Sequence, residues 1–130
     1  MKSIMIVDDS LIIRINLKKI LEKNGYQVVA EAANGQEAVE KYGSFHPDLV
    51  TMDITMPILD GISALKKIRE MDNDACVVMI SALGQEEKII EAMNDGARHF
   101  IVKPFNELDV IHIFNDIFMA DMEEMVHVIA

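Results

Sequence analysis

The chain has 130 residues, a formal net charge of −10 at pH 7 and a hydrophobic content of 51%. This composition fits a single domain that buries about two-thirds of its unfolded surface, and it argues against an intrinsically disordered chain. The acidic charge argues against nucleic acid or an anionic membrane as the main partner. The single cysteine, Cys76, permits no internal disulfide, and the sequence shows neither a signal peptide nor a membrane span, so we expect a cytoplasmic protein.

Apolar, strand-like runs alternate with runs of helical period five times along the chain. In chain order, the first half of the sequence predicts a strand over about 3–8 and a helix that begins at 11 and stops at 24–25. A strand over 27–32, a helix capped by Asn34 and a strand that ends at Asp53 follow. The second half predicts a helix over about 61–71, a strand over 76–81, a helix over 85–94, a strand over 99–103 and a last helix capped by Asn106. This alternation is typical of a parallel sheet covered by helices.

Two of the predicted helices carry apolar residues that we expect to face the core. On the first helix, these residues are Leu11, Ile12, Ile15, Ile20 and Leu21. On the third helix, they are Ile62, Leu65 and Ile68. Apolar residues that share one side of a helix usually pack against the rest of the domain, so each helix should cover the sheet with that side.

Charged residues stand at the ends of three buried strands. Asp8 and Asp9 follow the first strand, Asp53 closes the third, and Lys103 closes the fifth. Ligands of open α/β sheets bind outside the carboxyl ends of the parallel strands, so we expect these side chains to converge there. Three carboxylates and one ammonium group would form a site for a divalent metal and a phosphoryl group.

The three acidic residues would need a cation between them. Carboxylates packed together repel, and one of them would be driven to take up a proton. Mg²⁺ suits such a site because it prefers hard oxygen ligands and would offset charge on a transferred phosphoryl group. The alternative is that Asp8, Asp9 and Ser10 only cap the following helix, where acidic residues suit the helix dipole. The two roles are compatible, so both stay open.

The order of the motifs resembles the receiver domain of bacterial two-component response regulators, over about residues 1–118. The residues that carry this resemblance are Asp8-Asp9 after the first strand, Asp53 after the third, Ser81-Ala82 after the fourth and Lys103-Pro104-Phe105 after the fifth. The resemblance implies a doubly wound, flavodoxin-like α/β fold with five helices and a five-stranded parallel sheet in the order 2-1-3-4-5. That strand order comes from the resemblance and not from the residue pattern.

The resemblance also assigns roles to the acidic residues. It implies that Asp53 is the nucleophile that accepts a phosphoryl group from a histidine kinase. Asp9 and Asp53 would bind Mg²⁺ directly, Asp8 would act mainly through water, and the backbone carbonyl of Thr55 would supply a further ligand. As a lone aspartate at a strand end, Asp53 would more often be an ordinary solvated residue, and the other motifs favour the functional role.

The remaining site residues are assigned in the same way. Lys103 would neutralise the phosphoryl oxygens, and its peptide bond to Pro104 would be cis. The Ser81 hydroxyl and the Ala82 amide would donate hydrogen bonds to those oxygens. Phe100 holds the position of an aromatic switch, whose ring would turn inward when Ser81 moves toward the phosphoryl group. Without the family, Ser81 would be taken for a strand terminator and Phe100 for an ordinary sheet residue.

Two residues correspond to the positions that flank the attacking water in the family. They are Thr55, two residues after Asp53, and Leu83, two residues after Ser81. Leu83 cannot orient water and would shield the acyl phosphate, so slow autodephosphorylation is expected. The alternative is that Leu83 is only an apolar loop residue.

The end of the chain departs from the family. We expect the receiver domain to occupy residues 1–120 and residues 121–130 to extend the last helix or form a tail. The last helix is apolar over more than one face, which favours a partner or self-association surface. The alternative is that the tail folds back or unwinds, because residues 126–129 are β-leaning and helix is not expected to persist there.

The resemblance implies a phosphorylation-activated signalling protein and not an enzyme. Phosphorylation would change the face formed by the fourth helix, the fifth strand and the last helix, which then binds a protein target. Similarity to the stand-alone chemotaxis members of the family suggests the flagellar motor switch as that target, by analogy alone. A regulator of another two-component pathway, or a receiver that is part of a larger protein, is the alternative.

Two other classes of protein use related chemistry. A phosphohydrolase of the haloacid-dehalogenase type has a nucleophilic aspartate and Mg²⁺, but it needs that aspartate after the first strand and a second one two positions later. Here those later positions hold Ser10 and Leu11. A flavodoxin-like flavin binder needs a hydroxyl- and glycine-rich loop after the first strand, where Asp8 and Asp9 would repel a flavin phosphate. Both classes are disfavoured.

Overall fold

The computed structural model describes the backbone of residues 1–129 and the side chains of residues 1–122. Five strands alternate with five helices: β1 (Ser3–Val7), α1 (Leu11–Lys23), β2 (Gln27–Ala32), α2 (Gly35–Phe45), β3 (Leu49–Asp53), α3 (Gly61–Met71), β4 (Val77–Ser81), α4 (Glu86–Asn94), β5 (His99–Val102) and α5 (Glu107–Ile129). Among residues 1–129, no helix is both long enough and apolar enough to cross a membrane.

The strands form one parallel sheet in the order β2-β1-β3-β4-β5. This is the doubly wound, flavodoxin-like arrangement that the resemblance implied. Strand side chains alternate between the two faces, and both faces of the central strands β1, β3 and β4 are covered, so these strands are almost entirely apolar runs. In β1, for example, Met5 and Val7 pack on one side of the sheet, whereas Ile4 and Ile6 pack on the other.

Each side of the sheet has its own core. On one side, β-strand residues pack against α2, α3 and α4, with Leu65 and Ile68 of α3 fully buried. On the other side, they pack against α1 and α5, with Leu17 and Phe114 at the centre. The prediction that Ile62, Leu65 and Ile68 face the core is confirmed.

The buried face of α1 differs from the one predicted. Leu11, Ile12 and Ile15 are exposed, Ile12 to 80% of its surface, whereas Leu17 is buried together with Ile20 and Leu21. The prediction combined two apolar clusters that lie on opposite sides of the helix, because residues rotate by about 100° each and Ile15 and Leu17 are therefore roughly 200° apart. Only the second cluster faces the sheet.

The helix ends follow the predicted caps. Asn34 Oδ1 accepts a hydrogen bond from the Glu37 amide at 2.9 Å, and Asn106 Oδ1 accepts one from the Asp109 amide at 2.9 Å. At the other end of α5, the helix continues to Ile129, so the expectation that helix would not persist over residues 126–129 is wrong. The physical reason is that adding a residue to an existing helix needs no new nucleation, and the preceding Met and Glu residues are strong helix formers.

Candidate functional site

The predicted site residues stand at the carboxyl edge of the sheet. Asp53 is the last residue of β3 and Ser81 the last of β4, while Asp8 and Lys103 directly follow β1 and β5. Because the strands are parallel, these ends share one edge of the sheet. The Lys103 amide donates to the Ser81 carbonyl at 2.7 Å, which fixes the backbone of Lys103 beside the end of β4.

The charged side chains converge as the sequence predicted. Carboxylate oxygens of Asp8, Asp9 and Asp53 all lie within 4.8 Å of one another. Lys103 Nζ lies 3.0 Å from Asp8 Oδ2 and 3.4 Å from Asp53 Oδ1. Asp8 and Asp53 are buried, with 1% and 7% of their surface exposed, whereas Asp9 is open to solvent. The cluster therefore has a buried base and an exposed rim through which a ligand can enter.

The loop after β1 is held by several hydrogen bonds. The Ser10 amide donates to Asp8 Oδ1 at 2.9 Å, and Ser10 Oγ accepts from the Ile13 amide at the start of α1. Arg14 Nη1 donates to the Asp8 backbone carbonyl at 2.7 Å, and Arg14 Nε also pairs with Glu31. Helix capping thus falls to Ser10, which leaves Asp9 free of that role. Arg14 was not predicted, because nothing in its local sequence distinguishes it from a surface arginine of α1.

Gly61 sets how closely α3 approaches Asp53. A Cβ atom at this position would lie 1.9 Å from the Asp53 carbonyl oxygen. Only glycine therefore allows the start of α3 to pack directly on the end of β3. The Gly61 amide donates to the Ile54 carbonyl at 2.8 Å, so the same close approach also holds the backbone that follows Asp53.

Burial and the neighbouring Asp8 charge raise the pKa of Asp53 to about 6, although Lys103 opposes this rise. For Lys103, burial disfavours the charged form, but the hydrogen bond to Asp8 and the charges of Asp53 and Asp8 outweigh it, so its pKa is raised. One ammonium group thus offsets the negative charge of this cluster only in part. The residual negative charge makes the site suited to a further cation.

The donor set fits Mg²⁺. The three carboxylates supply hard oxygen atoms close enough to share one ion, and the exposed side of Asp9 leaves room for the waters that Mg²⁺ retains. Thr55 lies in the loop directly after β3, exposed and next to this edge of the sheet. The chemistry of the residues present therefore agrees with the predicted metal.

The predicted phosphoryl-binding donors lie at the end of β4. Ser81 is fully buried, and its hydroxyl has no hydrogen-bond partner among the described residues. The Ala82 amide donates to Gln85 Oε1 at 2.7 Å, and Gln85 Nε2 donates to Thr55 Oγ1 at 2.9 Å. Gln85 was not predicted as a site residue, because a single glutamine before a helix carries no recognisable pattern.

Phe100 and Leu83 border an apolar groove between α4 and β5. The groove has a volume of about 480 Å³ and is lined by Ala82, Leu83, Glu86, Ile89, Ile90, Met93, Asn94, Phe100 and Val102. Phe100 is 36% exposed, and Leu83 is 78% exposed in the loop that leads to α4. The Lys103–Pro104 peptide bond is cis, as the resemblance implied.

A family model described as the response regulator receiver domain matches residues 4–115. The chain is 54% identical to the chemotaxis protein CheY of Bacillus subtilis over 112 residues, which cover 86% of this chain and 93% of that protein. It is 49% identical to the chemotaxis protein CheY of Thermotoga maritima over 116 residues, which cover 89% of this chain and 97% of that protein.

Solved structures agree with these relatives. The CheX–CheY–BeF3–Mg²⁺ complex from Borrelia burgdorferi contains a chain with a TM-score of 0.87 and 41% identity, covering 90% of this chain and 89% of that one. A CheY-like receiver domain protein from Methanospirillum hungatei has a TM-score of 0.88 and 29% identity, covering 95% of this chain and 98% of that one. Family, relatives and fold coincide: this chain belongs to the response regulator receiver domain family.

Proposed function

We propose that this protein is a phosphorylation-activated response regulator in which Asp53 accepts a phosphoryl group from a histidine kinase. The observation that carries the proposal is the meeting of Asp8, Asp9 and Asp53 with Lys103 at one edge of the sheet. As a receiver it is a signalling protein and not a classical enzyme. The reducing cytoplasm suits its single cysteine, so we place it there.

The transfer is a displacement at phosphorus. An Asp53 carboxylate oxygen forms the new P–O bond, the P–N bond to the kinase histidine breaks, and the imidazole nitrogen keeps the electron pair and takes up a proton. Lys103 holds its positive charge beside Asp53 throughout and stabilises the added negative charge. Asp53 reacts as the carboxylate, and in the metal-free protein its raised pKa of about 6 favours the unreactive protonated form below that pH.

Asp9 and Asp53 would bind Mg²⁺ directly, together with the carbonyl of Thr55, and Asp8 would bind it mainly through water. When bound, the ion would neutralise charge on the phosphoryl oxygens. The contribution of the chain itself is to hold three carboxylates at a fixed spacing. The hydrogen bonds from Ser10 and Arg14 to Asp8, and the packing of Gly61 on Asp53, support that spacing.

The output step begins at Ser81. Its buried hydroxyl lacks a partner among the described residues, so a phosphoryl oxygen on Asp53 would be its natural acceptor, with the Ala82 amide beside it. Movement of Ser81 opens space into which the half-exposed ring of Phe100 turns. Phe100 lines the groove between α4 and β5, so this turn reshapes the α4–β5–α5 face that binds the target.

We propose chemotaxis as the pathway and the flagellar motor switch as the target, because several relatives are chemotaxis proteins. The experiment is affinity capture from a cell extract with the protein loaded with beryllofluoride and Mg²⁺, and with the Asp53→Asn variant as the unloaded control. Capture of a motor-switch component by the loaded protein alone is expected. Capture of only a target from another two-component pathway would support the receiver function and reject the chemotaxis assignment.

We further propose that residues 121–130 act as an extension that promotes self-association through α5. Arg98 Nη2 pairs with Asp121 Oδ1 at 2.9 Å, which ties α5 to the residue directly before β5. Met119 and Met122 are well exposed nearby. Sedimentation of the full chain against a chain ending at residue 121 tests this, with and without beryllofluoride. If both are monomers under every condition, self-association is rejected.

A further inference from the structure

Gln85 bridges two sides of the phosphoryl site. Its side-chain oxygen accepts the Ala82 amide, directly after β4, at 2.7 Å, and its side-chain nitrogen donates to the Thr55 hydroxyl of the β3–α3 loop at 2.9 Å. Gln85 holds the N-cap position of α4, yet its side chain makes no capping hydrogen bond. Its carboxamide is therefore committed to the site and not to the helix.

The Ala82 amide cannot serve two acceptors well. It has a single N–H, which now points to Gln85. If Asp53 carries a phosphoryl group, as proposed above, an oxygen of that group needs the same donor. One acceptor must leave when the other binds.

We propose that Gln85 is a positioning residue that occupies the phosphoryl-binding amide of Ala82 in the unphosphorylated protein and is displaced when Asp53 is phosphorylated. In the unphosphorylated protein, the hydrogen bond to Thr55 anchors the Gln85 side chain. When the Gln85 side chain is displaced, the Thr55 hydroxyl next to the acyl phosphate loses its hydrogen-bond partner. Gln85, the N-cap residue of α4, is then no longer held by the site. Glu86, Ile89 and Ile90 of α4 line the apolar groove between α4 and β5. The exchange of acceptors at Ala82 therefore links the phosphoryl site to that groove.

Substitutions of Gln85 should change ligand affinity in opposite directions. The probe is beryllofluoride with Mg²⁺, whose binding is followed by ¹⁹F NMR and calorimetry. Gln85→Ala removes the competing acceptor, so the dissociation constant should fall roughly two- to tenfold, the worth of one hydrogen bond. Gln85→Glu supplies a stronger, charged acceptor beside an anionic ligand, so the dissociation constant should rise by a similar factor or more.

Thr55, which anchors the Gln85 side chain, allows an independent test by the same affinity measurement. Thr55→Val keeps the side-chain shape and removes only the hydroxyl, so it should loosen Gln85 and lower the dissociation constant modestly. In the Gln85→Ala background, the same change should no longer lower the dissociation constant, since no Gln85 side chain is left to be anchored. Two residues with unrelated structural roles would instead give additive effects.

Gln36 supplies matched controls. It is exposed at the start of α2, and its side chain bonds only Glu40, at 3.1 Å, among the described residues. Gln36→Ala and Gln36→Glu repeat the same chemical changes away from the site, and neither should alter the dissociation constant. Melting temperatures of all variants verify that they are folded.

The outcomes separate this inference from the proposed function. If the unaltered protein takes up no beryllofluoride, the phosphoacceptor function fails and the role of Gln85 fails with it. If the unaltered protein binds but Gln85→Ala binds equally or more weakly, only the role of Gln85 is overturned. Tighter binding by Gln85→Ala together with weaker binding by Gln85→Glu supports the exchange.

Discussion

Lys103 Nζ lies 3.4 Å from Asp53 Oδ1, although fifty positions separate the two residues in the sequence. The contact exists because β3 and β5 flank β4 in one parallel sheet, so their ends open onto the same edge. It gives Asp53, the proposed phosphoryl acceptor, a fixed counter-charge before any ligand arrives. Preorganised charge of this kind needs no rearrangement during the reaction.

Removal of the Lys103 charge should weaken anion binding strongly. Lys103→Met leaves Asp8 and Asp53 without their shared ammonium, so the affinity for beryllofluoride with Mg²⁺ should fall about ten- to a hundredfold, as for loss of a charged hydrogen bond. Lys67→Met is the matched control, because Lys67 is exposed on α3, away from the cluster. Calorimetric titration measures both. Equal affinities for the two variants would reject the role of Lys103.

The raised pKa of Asp53 predicts a pH-dependent cost in stability. This group has a pKa of about 6 in the folded protein against an ordinary value of 3.8, so between these values the folded state binds a proton that the unfolded state does not. The contribution of Asp53 to stability therefore falls as the pH rises through this window and is level above it. The stabilisation by Asp53→Asn, relative to the unaltered protein, should grow by about 2 kcal/mol from pH 4 to pH 7.5. Urea unfolding at several pH values measures this, and a constant difference would contradict it.

Gly61 should tolerate no side chain. Gly61→Ala would push the Asp53 carbonyl away from α3, so we expect a loss of about 1–3 kcal/mol in the free energy of unfolding and weaker beryllofluoride binding. Gly43→Ala is the control: Gly43 is exposed within α2, and a Cβ atom added there would meet nothing within 4 Å, so the same change should stabilise the protein by about 0.4–1 kcal/mol. Chemical denaturation compares the two. Similar effects at both positions would show that the close approach at Gly61 is unimportant.

Leu83 should slow the loss of the phosphoryl group. Its side chain is 78% exposed in the β4–α4 loop and cannot orient water, whereas a carboxylate there can act as a base. Leu83→Glu should therefore raise the rate of autodephosphorylation several-fold, measured as decay of the phosphorylated protein with Mg²⁺. Leu108→Glu, at an equally exposed position on α5, serves as the control. An unchanged decay rate for Leu83→Glu would defeat this role.

Much of the fold could be predicted because its three central strands, β1, β3 and β4, are buried on both faces. Their apolar runs, and the caps Asn34 and Asn106, carry strong local signals. The error at α1 arose because the exposed cluster of Leu11, Ile12 and Ile15 is as apolar as the buried one. Helical period alone shows two such faces but does not say which one meets the sheet.

From the residues alone, without the family resemblance, the site was predictable where charge follows a strand. Asp8, Asp53 and Lys103 stand out because ionisable residues interrupt apolar sequence at the strand ends. Arg14 and Gln85 act through hydrogen bonds across segments that are separate in the chain. No local pattern marks such residues, because their partners are set by the three-dimensional arrangement of the loops.

Phosphorylation of Asp53 is tested most directly by the mass of the intact protein after incubation with a small acyl-phosphate donor and Mg²⁺, alongside Asp53→Asn and Asp9→Asn. We expect the unaltered protein to gain one phosphoryl group, Asp53→Asn to gain none, and Asp9→Asn to gain it far more slowly. A phosphoryl group on Asp53→Asn, or equal rates for all three proteins, would contradict the proposed function.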